Sequence, residues 1–396
     1  MASAIRALIN KETLGFIRRN THVSFRYIED KTSFNEAKIL LWEQIDSEVM
    51  PTINQARILA KCYRIPFAGL YMNSEDIPVM HLPNLPNFRT MQGGDFDDSA
   101  VNLAILDVLK SKALFIESAQ ELNIPFQRFD LSFTELDVMY MANYFREIMD
   151  LTYDTQRRFG SARKLYLYIR EKIESHGVYI SGFTGVEPSI IRGLAIYDEA
   201  MPIIGVNDED RYPAKSFTIL HELVHIMRRS SSMCNEFYDS LSKNTEEIFC
   251  NAVAGETLVP RNHLIRIVSE KEFDGIDYDS AEILAKLFSV SKEVIIRRLL
   301  DCGIIGDMEY NSLREEMQRN FDNERIKRKH DRETGIKTEI PRNMAREAFD
   351  RASMNLSKVL YEGYDAGMFE TRDLAHYLGI KEKHINKYLG EVAKWL

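Results

Sequence analysis

The stretch that decides the fold reads Ser216-Phe-Thr-Ile-Leu-His221-Glu222-Leu-Val-His225-Ile-Met227. Apolar residues recur through it at helical spacing, which predicts a helix anchored in a core. Side chains four residues apart share one face of a helix, so the imidazoles of His221 and His225 can reach a single cation. Glu222 leans over the same position. This His-Glu-x-x-His pattern is the signature of a zinc hydrolase.

The chemistry explains why these residue types stand at this spacing. A catalytic zinc ion takes three protein ligands at about 2.0 to 2.2 Å and leaves a fourth position for water, whose pKa falls to roughly 7. Glu222 is then placed to accept the proton of the attacking water and to return it to the leaving amine. The alternative is a chance triplet, which arises in on the order of one chain in a hundred of this length.

The third zinc ligand is expected downstream, because no imidazole follows shortly after the first pair. The stretch from Asn244 to Pro260 reads as a second helix that ends at the proline, with Phe249 among the residues that we expect to face inward. Within it Glu247 and Asn251 form an i, i+4 pair, in which Glu247 can bind the ion and Asn251 can orient a ligating histidine. Two alternatives stay open. Glu247 caps the helix, since Asn244 precedes it at capping-box spacing, or the neighbouring Glu246 is the third ligand.

Composition and cysteine usage indicate a globular protein of two or three domains with reduced thiols. With 396 residues, 45% hydrophobic and 28% charged, the chain can bury a large core and hold two or three domains. The absence of a long apolar run and of a signal-peptide pattern predicts a cytoplasmic protein without a membrane segment. Cys250 lies one turn from Glu247 and is a further candidate soft ligand or redox switch, although core packing is the favoured interpretation. The scattered cysteines indicate reduced thiols: Cys62, Cys234, Cys250 and Cys302.

These residues resemble the ImmA/IrrE family of zinc metallopeptidases. The resemblance is carried by Met201–Asn207, by Phe217–His225 and by Glu247–Pro260. Outside this part, Leu85–Thr90 is similar to a segment that often precedes the peptidase in longer members, and Leu284–Leu299 resembles the helical close of the family. The resemblance covers about residues 80–305.

The resemblance implies both a site and an activity. By position, it implies that His221, His225 and Glu247 are the zinc ligands and that Glu222 is the general base. It further implies a protease that cuts a helix-turn-helix repressor and so releases genes of a mobile element or of a stress or defence response. The chain departs from the family pattern at Val253 and Thr257, and neither position is a ligand.

Residues 1–75 resemble the later half of a phage-repressor type of helix-turn-helix domain, through Leu41-Trp42-Glu43 and a helix that follows Pro51. Duplex binding requires a recognition helix with several outward hydrogen-bond donors. The candidate stretch Ser24–Lys38 mixes basic side chains with acidic ones, and the acids would repel phosphate. DNA binding and docking of another protein are therefore equally favoured functions for this part.

The segments around the metal helices have weaker patterns. Residues 77–98 read as a connecting arm rich in Pro, Gly, Asn and Asp, and residues 99–124 and 134–175 read as helical. Short apolar runs bounded by turn residues predict a small sheet before the metal helix, with strands at 177–183, 193–197 and 202–207. Ile203–Asn207 is our candidate for pairing with an extended substrate peptide. His263 follows the second metal helix closely enough to be considered for oxyanion support.

The C-terminal part reads as helical with one interruption. Residues 280–301 look like a helix-turn-helix, but their place directly after the peptidase core favours packing. Arg325–Arg332 reads as a basic run in a polar linker. Residues 342–396 form a helical tail that binds a partner or regulates access.

The sequence therefore predicts an α+β fold, mostly helical, with a small β-sheet packed on the two metal helices. It divides into a helix-turn-helix-like domain (1–75), a connecting arm with helices (76–150), a zinc metallopeptidase domain of gluzincin-like type (151–305) and a helical C-terminal region (306–396). The predicted function is Zn²⁺-dependent cleavage of a helix-turn-helix repressor, with DNA as a further candidate partner of the first domain. The competing hypothesis is a non-proteolytic regulator or toxin-antitoxin component with a structural or sensory metal site. The presence of Glu222 favours catalysis, because a structural site tends to be closed by a fourth protein ligand.

Overall fold

The computed structural model describes residues 5–78, 80–83, 97–133, 137–234, 245–273, 275–334 and 342–396. The described chain is mostly helical and contains one four-stranded sheet, which confirms the predicted α+β class. Contacts divide it into two compact units. One contains Met1–Leu114 and Phe183–Glu187, and the other contains Phe115–Gly182 and Pro188–Leu396. The four functional segments read from the sequence remain predictions.

The first unit is a bundle of short helices around Trp42 and Tyr63, both fully buried. Each of its first four helices begins at a side chain that accepts a hydrogen bond from the first turn, which satisfies backbone donors that have no helical partner. The helices are α1 (Lys11–Asn20), α2 (Phe25–Thr32), α3 (Glu36–Glu43) and α4 (Ile53–Cys62), and α5 (Ser99–Glu121) begins in this unit. The stretch Ser24–Lys38 is thus divided between two helices by Ser33, which has a left-handed backbone.

The sheet lies almost entirely in the second unit, beside the helix that carries His221 and His225. Its strands are β1 (Tyr179–Phe183), β2 (Gly193–Ile196), β3 (Ile203–Asn207) and β4 (Ser232–Cys234), in the order β1-β3-β2-β4. β2 is antiparallel to both of its neighbours, β3 and β4. The three predicted strands are confirmed, and β4 was not predicted.

Helices surround this sheet. The described part of the predicted helical stretch 134–175 contains three helices: α6 (Val138–Ile148), α7 (Tyr153–Arg158) and α8 (Ala162–Glu174). The two helices that carry the candidate ligands are α9 (Tyr212–Met227) and α10 (Thr245–Leu258), and α9 packs on β2, β3, α8 and α10. After them come α11 (Arg261–Lys271), α12 (Tyr278–Phe288) and α13 (Lys292–Asp301). Arg298 of α13 is buried against Glu256 and the carbonyl of Val259, in line with a packing role for 280–301.

The C-terminal helices also belong to the second unit. They are α14 (Asp307–Glu333), α15 (Met344–Arg351), α16 (Met354–Asp365), α17 (Thr371–Leu378) and α18 (Ile385–Val392). The interpretation of Arg325–Arg332 as a linker is wrong, because these residues continue α14, a helix of 27 residues. Among the described residues, no helix combines the length with the apolar character that crossing a bilayer requires.

Candidate metal centre

The helix α9 is held rigidly because it is buried on all sides. It begins with a proline in its first turn, where the missing N–H costs nothing. Every residue from Ala214 to Ile226 is buried, which is expected for a helix at the centre of a core and exceeds the single apolar stripe predicted from the sequence. The side chains of His221 and His225 are therefore fixed by packing.

The structure brings both histidines to one carboxylate. Nε2 of His221 lies 3.2 Å from Oε2 of Glu247, and Nε2 of His225 lies 3.3 Å from Oε1 of the same residue. All three side chains are at most 5% exposed. Two imidazole nitrogens and one carboxylate are the donor set of many catalytic zinc sites, so these residues fit a zinc ion by chemistry and by placement.

Two polar side chains contact the opposite nitrogens of the histidine rings. Nδ1 of His221 donates a hydrogen bond to Oδ1 of Asn251 at 2.8 Å. Glu246, the alternative ligand, has Oε1 3.7 Å from Nδ1 of His225 and 3.3 Å from Nε of Arg228. Glu246 thus lies on the Nδ1 side of His225, whereas Glu247 faces Nε2. In this geometry Glu246 is placed to orient the ring of His225, and Glu247 is placed to hold an ion.

Glu222 is buried between α9 and the sheet. Its Oε2 accepts a hydrogen bond from Oγ of Ser232 at 2.7 Å, and Ser232 lies on β4. β2 passes close to it at Gly193, where an added Cβ atom would overlap Cγ2 of Thr218 and lie 2.8 Å from Oε1 of Glu222. Ser232 and Gly193 were missed from the sequence, because neither belongs to the motif and both reach Glu222 only through the sheet.

Cys250 is a second neighbour of the histidines. Its Sγ and one nitrogen each of His221 and His225 lie within 4.8 Å of one another, and all three residues are buried. Burial and the surrounding carboxylates raise the pKa of the Cys250 thiol. We favour Glu247 as the third ligand, because its two oxygens face both Nε2 atoms at close range.

The charge of Glu247 is stabilised by its surroundings. Burial by itself would raise the pKa of this carboxyl, but hydrogen bonds and charges from His221 and His225 outweigh burial and hold the pKa well below its usual range. The carboxylate is therefore ionised, which is the form that binds a cation. The capping-box interpretation depended on Asn244, which lies outside the described residues.

The proposed substrate strand needs correction. Ile203–Asn207 forms β3, which lies between β1 and β2 in the sheet and has all five residues buried. Because its backbone is paired on both sides, it cannot accept an added strand. β4 lies at an edge of the described sheet and carries Ser232, the partner of Glu222. The edge beside the candidate site is therefore β4.

His263 and the inner face of α10 also differ from the predictions. The ring of His263 stacks on Tyr153, with 4.7 Å between ring centroids, and burial together with Arg266 lowers its pKa. Packing thus accounts for this histidine. Phe249, predicted to face inward, is only half-buried and lies below the guanidinium of Arg228.

The face of α3 in the first unit differs from that of a duplex-binding helix. Glu36 is exposed, and Leu40 and Leu41 are 45% and 42% exposed. Lys38, the one lysine of α3, lies over the rings of Phe34 and Trp42. An acidic and apolar face offers little attraction to phosphate.

A comparison with protein families supports the location of the site. Residues 174–300 match the family model described as the IrrE N-terminal-like domain, Peptidase_M78. The matched segment contains α9 and α10, and it confirms the family resemblance seen in the sequence for this part of the chain. The match does not include residues 1–75. None of the curated proteins and none of the solved structures compared with the chain matches it.

Proposed function

We propose that this chain, whose residues 174–300 match a peptidase family model, is a zinc-dependent endopeptidase. In this proposal His221, His225 and Glu247 hold the ion, Glu222 is the general base and Asn251 orients a ligand. The observation that carries the proposal is the convergence of both Nε2 atoms on the Glu247 carboxylate, at 3.2 and 3.3 Å. Side chains from two different helices meet there, which the motif alone does not require.

The reaction is hydrolysis of a peptide bond. His221, His225 and Glu247 would hold the zinc ion, which when bound would act as the Lewis acid that polarises the carbonyl and acidifies water. Glu222 accepts one proton from the attacking water while the new C–O bond forms at the carbonyl carbon. As the C–N bond breaks, the same carboxyl returns the proton to the leaving nitrogen, which departs as an amine. The hydrogen bond from Ser232 holds Oε2 of Glu222 in a fixed orientation.

The substrate that we propose is a helix-turn-helix repressor, as the family resemblance implies. An extended segment of it would pair with the edge strand β4, whose Ser232 contacts the proposed base. The acidic and apolar face of α3, with Leu40 and Leu41 exposed, supports docking of a protein by residues 1–75 over binding of DNA.

The test is the substitution Glu222→Gln, which removes the base and leaves the three ligands in place. We expect a loss of cleavage of a repressor encoded nearby by about a hundredfold or more, with zinc content unchanged. Glu270→Gln on the surface of α11 is the matched control and should cleave normally. Products are followed by mass spectrometry and zinc by elemental analysis. Unchanged cleavage by Glu222→Gln would refute the proposed role of this residue.

A second candidate function is favoured by the position of Cys250. Four protein ligands, formed by the two histidines, Glu247 and Cys250, would close the site and make it structural or sensory. Cys250→Ser would then weaken zinc binding strongly, whereas Cys302→Ser, a control at another buried cysteine, would not. Under the peptidase proposal, both variants bind zinc with the affinity of the unaltered chain.

A further inference from the structure

Residues 371–392 form a pair of helices joined by a tight turn. α17 ends at Leu378, and Gly379 follows it with a left-handed backbone (φ +65°). A short 3-10 turn, Glu382–His384, then leads into α18. Three residues, Gly379–Lys381, join α17 to the helical segment 382–392, which begins as this 3-10 turn. Two short helices joined by a turn of three or four residues that contains glycine are typical of a helix-turn-helix.

The apolar residues of this pair hold the two helices against each other and against the helices before them. Phe349 of α15 contacts the ring of Tyr388, with 6.4 Å between centroids, and the Tyr388 hydroxyl lies 2.9 Å from Oγ of Ser357 in α16. Arg351 donates a hydrogen bond to the carbonyl of Leu378 at the end of α17. The buried set is Leu374, Ala375, Leu378, Ile380, Ile385, Tyr388 and Val392. One face of α18 is thus fixed by packing against α15 and α16.

The opposite face of the second helix and of the turn before it carries hydrogen-bond donors. Lys381, Lys383, Asn386 and Lys387 are all exposed. In a helix-turn-helix unit, residues near the start of the second helix contact base edges in the major groove. Lysine can bind guanine there and asparagine can bind adenine, and further lysines contact phosphates.

Residues 371–392 contain four lysine or arginine side chains and three acidic ones, Asp373, Glu382 and Glu391, and Asp373 lies on α17 rather than on α18 or the turn before it. Glu391 is half-buried, and its carboxylate contacts Lys394 at 2.7 Å and Arg163 at 3.7 Å. Glu382 is exposed beside two lysines, and a carboxylate at the start of a recognition helix can accept a hydrogen bond from cytosine. An open groove of about 510 Å³ continues the face that carries the lysines and is lined by Ala375, His376, Ile380, Lys381, Glu382 and Lys383.

The contrast with α3 of the first unit is informative. The exposed face of α3 carries Glu36, Leu40 and Leu41, and its lysine lies over aromatic rings. The face of α18 instead directs donors to solvent from a helix whose other face is buried. The helix pair around Ser33 therefore fits a protein partner, and the pair around Gly379 fits DNA. Both pairs consist of short helices joined by a turn with a left-handed residue, Ser33 or Gly379.

We propose that residues 371–392 bind duplex DNA, with the start of α18 in the major groove. Lys383, Asn386 and Lys387 contact base edges and phosphates, while Lys381 contacts the backbone from the turn. One unit of this kind covers one half-site, and its affinity depends strongly on salt.

The experiment uses the full chain and a labelled pool of random-sequence duplexes of roughly two helical turns. Binding is measured by fluorescence anisotropy between about 50 and 200 mM salt. We expect the intact chain to bind and the double variant Lys383→Ala, Lys387→Ala to bind about tenfold or more weakly, with a smaller salt slope. Asn386→Ala should change the sequences that are selected from the pool, because it removes a contact to a base.

A charge-matched control separates this site from a general effect of charge. Lys164→Ala together with Lys286→Ala removes two exposed lysines from α8 and α12 of the same unit. The control pair should bind DNA like the intact chain. The proposal is overturned if the intact chain binds no duplex at low salt, or if Lys383→Ala with Lys387→Ala binds as tightly as the control pair. It is also overturned if that double variant binds duplex DNA as tightly as the intact chain and has lost only the ability to bind a protein.

Discussion

Asn251 holds the ring of His221 from the side opposite Glu247. Its Oδ1 accepts a hydrogen bond from Nδ1 of His221 at 2.8 Å, while Nε2 of the same ring lies 3.2 Å from Glu247. Because an amide oxygen can only accept, Nδ1 carries a proton, so a cation that replaced the Nε2 proton facing Glu247 would bind this ring through Nε2. One hydrogen bond therefore sets both the tautomer and the orientation of the proposed ligand.

Asn251→Ala should weaken zinc binding by about tenfold to a hundredfold, which is the usual effect of removing a side chain that orients a ligand. Affinity is measured by competition with a chelator. Asn262→Ala on the exposed start of α11 is the matched control and should leave the affinity unchanged. An Asn251→Ala protein that binds zinc like the control would show that this hydrogen bond does not support the site.

Gly193→Ala should destabilise the fold by about 1 to 3 kcal/mol, because its methyl group would overlap Thr218 and approach Glu222 in a closely packed region. Denaturant unfolding measures the free energy. Gly390→Ala in α18 is the control, since nothing lies within 4 Å of its added Cβ. The control should be neutral or slightly stabilising, as expected for alanine in a helix. Equal stability of the two variants would contradict the close approach of β2 to Glu222.

Asp350 is a buried charge that connects α15 to α8 and α9. Its carboxylate accepts hydrogen bonds from Arg163 at 2.7 and 2.5 Å and from the Tyr212 hydroxyl at 2.5 Å. Asp350→Ala leaves Arg163 without this partner and should cost about 3 to 5 kcal/mol of unfolding free energy. Asp365→Ala, at an exposed aspartate of α16, should change it by less than about 0.5 kcal/mol. Similar unfolding midpoints for both variants would show that the hydrogen bonds of Asp350 to α8 and α9 do not stabilise the fold.

Glu174 should make stability depend on pH in an unusual direction. Burial raises the pKa of this carboxyl from 4.5 to about 7. The folded state then holds the proton more tightly than the unfolded state, so the contribution of Glu174 to stability falls as pH rises from about 4.5 through 7. Glu174→Gln carries no titrating proton at this position. Relative to the unaltered chain, the variant should gain about 2 to 3 kcal/mol of stability between pH 5 and pH 8.

The pH dependence is read from urea unfolding of both proteins at the two pH values. Glu362→Gln, at an exposed position of α16, serves as the control and should show no such gain. A stability difference between Glu174→Gln and the unaltered chain that stays constant from pH 5 to pH 8 would show that Glu174 is ionised in the folded state.

The sequence was informative where chemistry follows from local spacing. His221 and His225 meet because residues four apart share a helix face, and Glu247 with Asn251 repeats this relation on the next helix. The sequence did not show that these two pairs face each other, which depends on the packing of α9 against α10. The structure places the four side chains together, and their roles in binding zinc remain a proposal.

The parts that could not be predicted depend on contacts distant in sequence. β4 is three residues long, too short to show an alternating pattern, so its Ser232 could not be assigned to Glu222. Ile203–Asn207 was chosen as a substrate strand from its apolar run, but such a run is equally typical of a central strand. Nothing in the local pattern links Asp350 to Tyr212, which it contacts at a separation of 138 residues.

The coordination of zinc in the intact protein is the most direct test of the central claim. X-ray absorption of the zinc-loaded chain reports the ligand atoms and their distances. The open site formed by His221, His225 and Glu247 predicts only nitrogen and oxygen neighbours at about 2.0 to 2.2 Å, with a solvent oxygen among them. A sulfur neighbour at about 2.3 Å would place Cys250 in the coordination sphere and contradict the peptidase account.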